Sequence, residues 1–358
     1  MNAARLGNAP ERILIVRLSS IGDVIHSLPA FQALREALPD AEIGWAVERA
    51  AAPLVRSLTE LDHVHELDVQ GWRRSPLRWS TWQALREALT EIRGRRYQIG
   101  LDLQGLWKSA ILGRVSAAQL VGLATPDLRE PGARVLYHRQ AAAATTDRHV
   151  IARRLELVRT VCPGAPSATR WPPLADSKAQ DYVREKLEAF GATPVLIHSA
   201  ANWSSKEFAD SKWVEVGRGI HAATKRPVLW LWGPGEEARA RDLAAQAGDG
   251  NYASFPTELP HLAALAAQSA LVIGGDSAPL HLAVACGAPV VALFGPTDPA
   301  RLGPTGTEDR VVVRRLECSH CHRRKCPLGT NECLDSIGPD EIVQAAIARL
   351  ADRAAEER

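Results

Sequence analysis

Short apolar runs alternate with longer stretches of helical period along most of this chain. Residues 12–18 (Arg-Ile-Leu-Ile-Val-Arg-Leu) are too few for a helix and rich in strand-forming side chains, which predicts a buried strand. Residues 19–23 (Ser-Ser-Ile-Gly-Asp) read as a turn. Helical spacing follows through Leu28, Phe31, Leu34 and Leu38, bent or restarted by Pro29. Residues 42–47 predict a second strand, closing a first βαβ unit within the usual length. Trp82, Leu85, Leu89 and Ile92 mark an amphipathic helix before a strand at 98–103, and 119–122 read as another strand. A second alternating set opens at the strand 194–198. It continues through a helix at 213–222, a strand at 227–232, a turn at 233–237 into a helix from Ala238, and a helix at 259–268. The strand 271–273, a helix starting near Pro279 and stopped by Gly287 and Pro289, and the strand 290–294 complete it. Residues 339–358 read as an amphipathic helix. Strands and helices in strict alternation predict an α/β protein with parallel sheets.

Pro163, Gly164, Pro166, Pro172 and Pro173 form the best linker candidate, so two Rossmann-like domains are expected at 1–165 and 166–338, with the helix 339–358 after them. Paired domains of this kind bind ligands in the cleft where they face each other. The 358 residues suffice for two cores. A formal charge of +2 argues against a nucleic-acid binder driven by bulk charge. No apolar run reaches membrane-spanning length and residues 1–10 lack a signal-peptide core, so the expectation is a cytoplasmic protein, free or attached to a membrane surface. Six cysteines in such a compartment predict no disulfide framework.

The chemistry concentrates at strand ends. Gly275-Asp-Ser-Ala-Pro-Leu-His281 joins a strand to a helix, and a helix N-terminus offers free N–H groups and a favourable dipole to an anion. The functional reading is a diphosphate site flanked by Asp276, Ser277 and His281; the plain one is a helix capped by Asp276 or Ser277 with a partly buried histidine. The dinucleotide fingerprint G-x-G-x-x-G is absent after the first strand, which argues against an NAD enzyme. Asp23 stands there instead, as a helix cap or a catalytic base. Asp102-Leu-Gln-Gly-Leu-Trp-Lys-Ser109 is a second polar turn on the same edge. Arg129, Arg134, Arg139, Arg148, Arg153 and Arg154 form either a solvated face or a surface for an anionic acceptor, and basic residues recurring from about 73 onward favour the second. Cys318, Cys321, Cys326 and Cys333, with His320 and His322 among them, can close around one zinc or iron.

Four segments together resemble the heptosyltransferases of glycosyltransferase family 9. They are Arg17-Leu-Ser-Ser-Ile-Gly-Asp-Val-Ile-His-Ser-Leu-Pro29, the Asp102–Ser109 turn, Trp230-Leu-Trp-Gly-Pro-Gly-Glu-Glu237, and Gly275–His281 with Phe294-Gly-Pro-Thr-Asp298. The resemblance implies the GT-B type of α/β fold and an inverting transferase. Heptose would pass from ADP-heptose to the Kdo of lipid A, with Asp23 as general base. It implies donor contacts at Ser199, Lys206, Glu236, Glu237, Asp276, Ser277, Ala278 and His281. Acceptor contacts are implied at Arg73, Arg74, Gln104, Lys108 and Arg129, together with peripheral contact with the inner membrane. No cofactor is implied for catalysis. In the family the threonines before the lysine and an Asp-Thr-Gly are usual, where this chain has Ser199-Ala-Ala and Asp276-Ser-Ala. In two-lobed glycosyltransferases the C-terminal helix often returns to the first domain. The alternatives are a protein heptosyltransferase acting on Ser or Thr, for which the cysteine segment speaks, and a sugar-nucleotide-binding protein without turnover.

Overall fold

The computed structural model describes residues 9–142, 148–174 and 176–356, so residues 1–8 of the stretch expected to lack a signal-peptide core lie outside the described residues. The chain divides into two units, Met1–Pro173 and Leu174–Arg358. Each is built on one six-stranded parallel sheet. The first holds β1 (Arg12–Val16), β2 (Glu42–Glu48), β3 (His63–Leu67), β4 (Tyr97–Asp102), β5 (Ala117–Gly122) and β6 (Arg139–Gln140), ordered β3-β2-β1-β4-β5-β6. The second holds β7 (Val195–His198), β8 (Val228–Trp230), β9 (Asn251–Ala253), β10 (Leu271–Gly275), β11 (Val290–Phe294) and β12 (Arg310–Val313), ordered β12-β11-β10-β7-β8-β9. Both are the doubly wound order, and both reverse direction beside the first strand of the unit. Ligands of open α/β sheets collect at that reversal, outside the carboxyl ends of the strands. In the first unit it lies between β1 and β4, and in the second between β7 and β10.

The central strands are buried on both faces, which is why they read as unbroken apolar runs: Ile13 to Val16 and Leu271 to Ile273 are at most 1% exposed. Pro29 restarts the chain. One helix covers Ile21–Ile25, and a second, Leu28–Ala37, takes Pro29 into its first turn, where the missing N–H costs nothing. The outer strands β3, β6, β9 and β12 lack that signal because they are short or polar; β3 is His-Val-His-Glu-Leu.

The helix Pro339–Glu356 packs on the second unit's own helix Asp210–Thr224. Ile342 and Ala346 are fully buried there beside Val343. Fully burying a side chain such as Ile342 contributes on the order of 1.5–3 kcal/mol, as an upper estimate. Gly219 permits the approach, since a Cβ there would stand 2.8 Å from the Val343 side chain. No described helix is long and apolar enough to cross a membrane.

Candidate active site

β1 delivers Arg17 and the turn after it delivers Asp23. The Asp23 carboxylate is caged: Arg17 Nη2 lies 2.7 Å from Oδ2, Arg154 Nη2 3.1 Å from Oδ1, and Arg129 Nη2 3.6 Å from Oδ2. Ser20 Oγ donates to Oδ2 at 3.2 Å. Arg17 and Arg154 are 3% and 5% exposed, whereas Arg129 is 57% exposed, so two cations are fixed by burial and the third faces solvent. Burial alone would raise the pKa of Asp23. Arg17, Arg154 and Arg129 outweigh it and hold the carboxyl well below the usual carboxylate range. Asp23 is therefore an anion at any working pH and, contrary to the cap reading, its side chain makes no helix-capping hydrogen bond.

β4 supplies the other wall of this switch point. Asp102 is fully buried; it accepts from Gln104 N, Gly105 N, Ser109 Oγ and Tyr137 Oη at 2.7–3.2 Å, which fixes the turn. Gly105 makes that turn at φ +71°, a conformation that favours glycine. Gln104 is 4% exposed and its side-chain oxygen accepts from Leu18 N at 2.9 Å, which ties the end of β1 to the turn after β4. Lys108 Nζ reaches Ser19 Oγ at 3.3 Å. Burial pulls the Lys108 pKa down, opposed by Glu48, and Arg73 is near enough to push the same way as burial. Arg73 and Arg74 themselves are exposed, on the last turn of the helix Val69–Arg74.

In the second unit the segments after β7 and β10 meet. Lys206 Nζ donates to Asp276 Oδ2 at 2.6 Å and to the Asp276 carbonyl at 3.2 Å. His281 Nε2 stands 2.8 Å from Asp276 Oδ1; a carboxylate can only accept, so Nε2 carries the proton. Burial would raise Asp276, yet His281 and the Lys206 ammonium hold it well below its ordinary value. The helix Ala278–Ala285 begins here, and no side chain caps it. Asp276 is engaged as described, and Ser277 Oγ is hydrogen-bonded to His198 Nδ1 at 3.2 Å. Burial drives His198 down to about 4, with Glu236 at 4.0 Å opposing, so His198 is neutral near pH 7. Glu236 Oε2 also accepts from Gly233 N at 2.8 Å. A lysine, an uncapped helix start and a neutral imidazole–hydroxyl pair on one sheet edge form a site that can take a diphosphate.

The model of glycosyltransferase family 9 (heptosyltransferase) matches residues 83–331, more than half of the chain. The chain belongs to glycosyltransferase family 9. As a member it is a glycosyltransferase. Lipopolysaccharide heptosyltransferase 1 of Pseudomonas aeruginosa is 29% identical over 326 residues, 88% of this chain and 87% of that protein. The protein of the same name from Salmonella typhimurium is 30% identical over 305 residues, 82% and 92% of the two chains. The E. coli heptosyltransferase WaaC solved with ADP shares the fold, at a TM-score of 0.76 and 24% identity over 94% of this chain and 99% of that one.

Within this family 9 chain the expected residues fall into two groups. Asp23, Arg129 and Lys108 gather at the first switch point, and Lys206, Asp276, Ser277 and Ala278 at the second. Further expected residues have partners of their own. His281 is 6% exposed and its Nε2 donates to Asp276 Oδ1. Glu237 pairs with Arg241 one helical turn on, while Glu236 accepts from Gly233 N. Ser199 is only 8% exposed and presents its carbonyl to Arg239. Three residues were missed: Arg17, Arg154 and His198. For Arg154 the signal was present, since Val150, Ile151, Leu155 and Val158 put it on the apolar face of a helix, Val150–Val161.

The four cysteines of 318–333 line one cavity, with Ser205, Gly295 and Pro296 among its other walls. Backbone N–H groups of Asn331, Leu328, Thr330 and Gly329 lower the Cys326 pKa, the setting of a thiolate ligand. Burial raises that of Cys333, and the charges of Cys321, Cys318 and Cys326 add to it. Among the described residues no three His, Cys, Asp or Glu side chains are drawn together as a ligand set.

Proposed function

We propose that this protein transfers heptose from ADP-L-glycero-β-D-manno-heptose to the Kdo of the lipopolysaccharide inner core, with inversion. The observation that carries this reading is the Lys206–Asp276 pair beside the uncapped start of the helix Ala278–Ala285. The names of the two lipopolysaccharide heptosyltransferases support the acceptor class, and the ADP with which WaaC was solved supports the nucleotide. Lys206 and the N–H groups of Ser277 and Ala278 would take up charge developing on the departing ADP. Glu236 would meet the nucleoside.

Asp23 is the general base of this reading. A carboxylate pulled so low is a weak base toward free water, and it accepts the proton only as the attacking hydroxyl bonds to the anomeric carbon. Arg129, the exposed member of the cage, links base and acceptor. An acceptor anion that engages it draws its field away from Asp23 and raises the basicity of the carboxylate once substrate is in place. Arg73, Arg74 and Lys108 complete an acceptor site for carboxylates and phosphates.

The same unit supports contact with an anionic membrane surface. Leu77, Trp79 and Trp82 are 95%, 82% and 57% exposed, and Trp107, Ile111 and Val115 line the outer face of the helix Trp107–Ser116. Residues 69–96 carry seven arginines against two glutamates, a basic and aromatic face suited to acidic headgroups. A structural zinc or iron would be held by Cys318, Cys321, Cys326 and Cys333: the donor set suits it, and the metal would cross-link a loop that has little core of its own. Substituting Arg73 and Arg74 together by Ala tests the acceptor site. KM for a Kdo-lipid acceptor should rise about tenfold or more, as for loss of two charge-assisted contacts, with donor KM unchanged; an unchanged acceptor KM would remove both arginines from the site.

A further inference from the structure

Lys206 sits at the end of a polar loop, Ser199-Ala-Ala-Asn-Trp-Ser-Ser-Lys206, whose only regular piece is the single turn Ser204–Lys206. Such a loop has little intrinsic preference for one position, and what ties it down decides where its lysine stands. Its ties run to the cysteine segment more than a hundred residues away. Ser205 N and Ser204 Oγ each donate to the Arg324 carbonyl at 3.3 Å. Ser205 Oγ donates to the Arg323 carbonyl at 2.5 Å, and Asn331 Nδ2 donates to the Ser204 carbonyl at 2.9 Å. Side chains add a further link: the Trp203 indole lies under Lys206 Nζ, 4.5 Å from its centroid, and the Arg324 guanidinium approaches the same ring at 5.8 Å.

The other end of the cysteine segment is tied to the turn after β11. His322 N donates to the Pro296 carbonyl at 2.8 Å, and His320 Nδ1 lies 3.1 Å from the Thr297 carbonyl, an acceptor that requires the proton on Nδ1. β11, β10 and β7 are neighbours in the sheet. A loop fastened to the segments after β7 and β11 therefore brackets the segment after β10, where Asp276 and the helix start lie.

We propose that Trp203 and Arg324 are positioning residues for Lys206, and that the cysteine segment is the scaffold that keeps this lysine at the diphosphate. The indole face holds the ammonium through its quadrupole, and the Arg324 guanidinium, 5.8 Å from the same ring, holds the indole in place. The proposal rests on the donor-site reading, and the test separates the two. ADP and AMP affinities are measured by calorimetry on the full-length protein for wild type, Lys206→Ala, Trp203→Leu, Trp203→Phe and Arg324→Ala. Lys206 would act on the diphosphate, so Lys206→Ala lowers ADP affinity and spares AMP. Trp203→Leu lowers ADP affinity about twofold to fivefold, the range of an exposed to half-buried cation–π contact, and also spares AMP. Trp203→Phe, which keeps an aromatic face, recovers most of the loss, and Arg324→Ala follows Trp203→Leu. A variant that merely loosened the fold would weaken ADP and AMP alike. If Lys206→Ala behaves as stated while Trp203→Leu and Arg324→Ala leave the ADP to AMP ratio at wild type, the positioning role is overturned. If Lys206→Ala itself leaves that ratio unchanged, the donor-site reading falls and the positioning role with it.

Discussion

Replacing Asp23 by Asn removes the charge from the centre of the arginine cage while keeping its shape. Arg17 and Arg154, at 3% and 5% exposure, would then be buried cations without a counterion. Removing one partner of a buried ion pair costs about 3–5 kcal/mol, because the remaining charge is left unsolvated. The first unit spans 173 residues, so each kcal/mol lowers its melting temperature by about 2–4 °C and the variant should melt about 6–20 °C below wild type. The pKa of Asp23 is depressed in the fold, so the stabilisation is fully present above the unfolded carboxylate value, near pH 4, and is lost only as pH falls through the lower folded value. The gap between wild type and Asp23→Asn should therefore stay constant from pH 8 to about pH 4.5. Adding Arg154→Met removes one stranded cation and should restore part of the melting temperature. It should not restore turnover, which Asp23→Asn lowers about 10²–10⁴-fold, the usual contribution of a general base. Thermal unfolding and ADP release on the same preparations check both. A variant that melts with wild type would refute the buried-charge argument, and one retaining more than about a tenth of wild-type turnover would refute the base assignment.

Further predictions concern the surface and the cysteines. Trp79→Ser with Trp82→Ser should abolish co-sedimentation with vesicles containing acidic phospholipid, and wild-type binding should weaken with added salt; binding that survives the double substitution would place the contact elsewhere. The purified protein should carry about one equivalent of zinc or iron by elemental analysis, lost in Cys326→Ser together with several degrees of thermal stability. Full reactivity of all four thiols without metal release would contradict the structural metal.

How much of this was legible in the sequence follows from what each residue is doing. The central strands and the helix starts were readable because burial on both faces demands an unbroken apolar run and because glycine and proline mark the turns. Outer strands such as His63–Leu67 were not, since their polar residues hide the period. Asp23 and Asp276 stood out because they follow strand ends. Their partners did not. Arg154 is 131 positions from Asp23, and its neighbouring arginines suggested an exposed surface for an anionic acceptor, although the apolar spacing around it favoured burial. The capping role of Asp276 or Ser277 failed for a tertiary reason, because Lys206 and His198 claim those side chains. The link from the cysteines to Lys206 crosses about 120 residues and follows from no local pattern.

The most direct test of the central claim is ADP release by purified protein given ADP-heptose, with Kdo-lipid A present, absent, or replaced by a Ser/Thr peptide. Release only with Kdo-lipid A is the predicted result, and it should vanish in Asp23→Asn. Release only with the peptide, or none with any acceptor despite ADP binding, would contradict the proposed transfer to the lipopolysaccharide core.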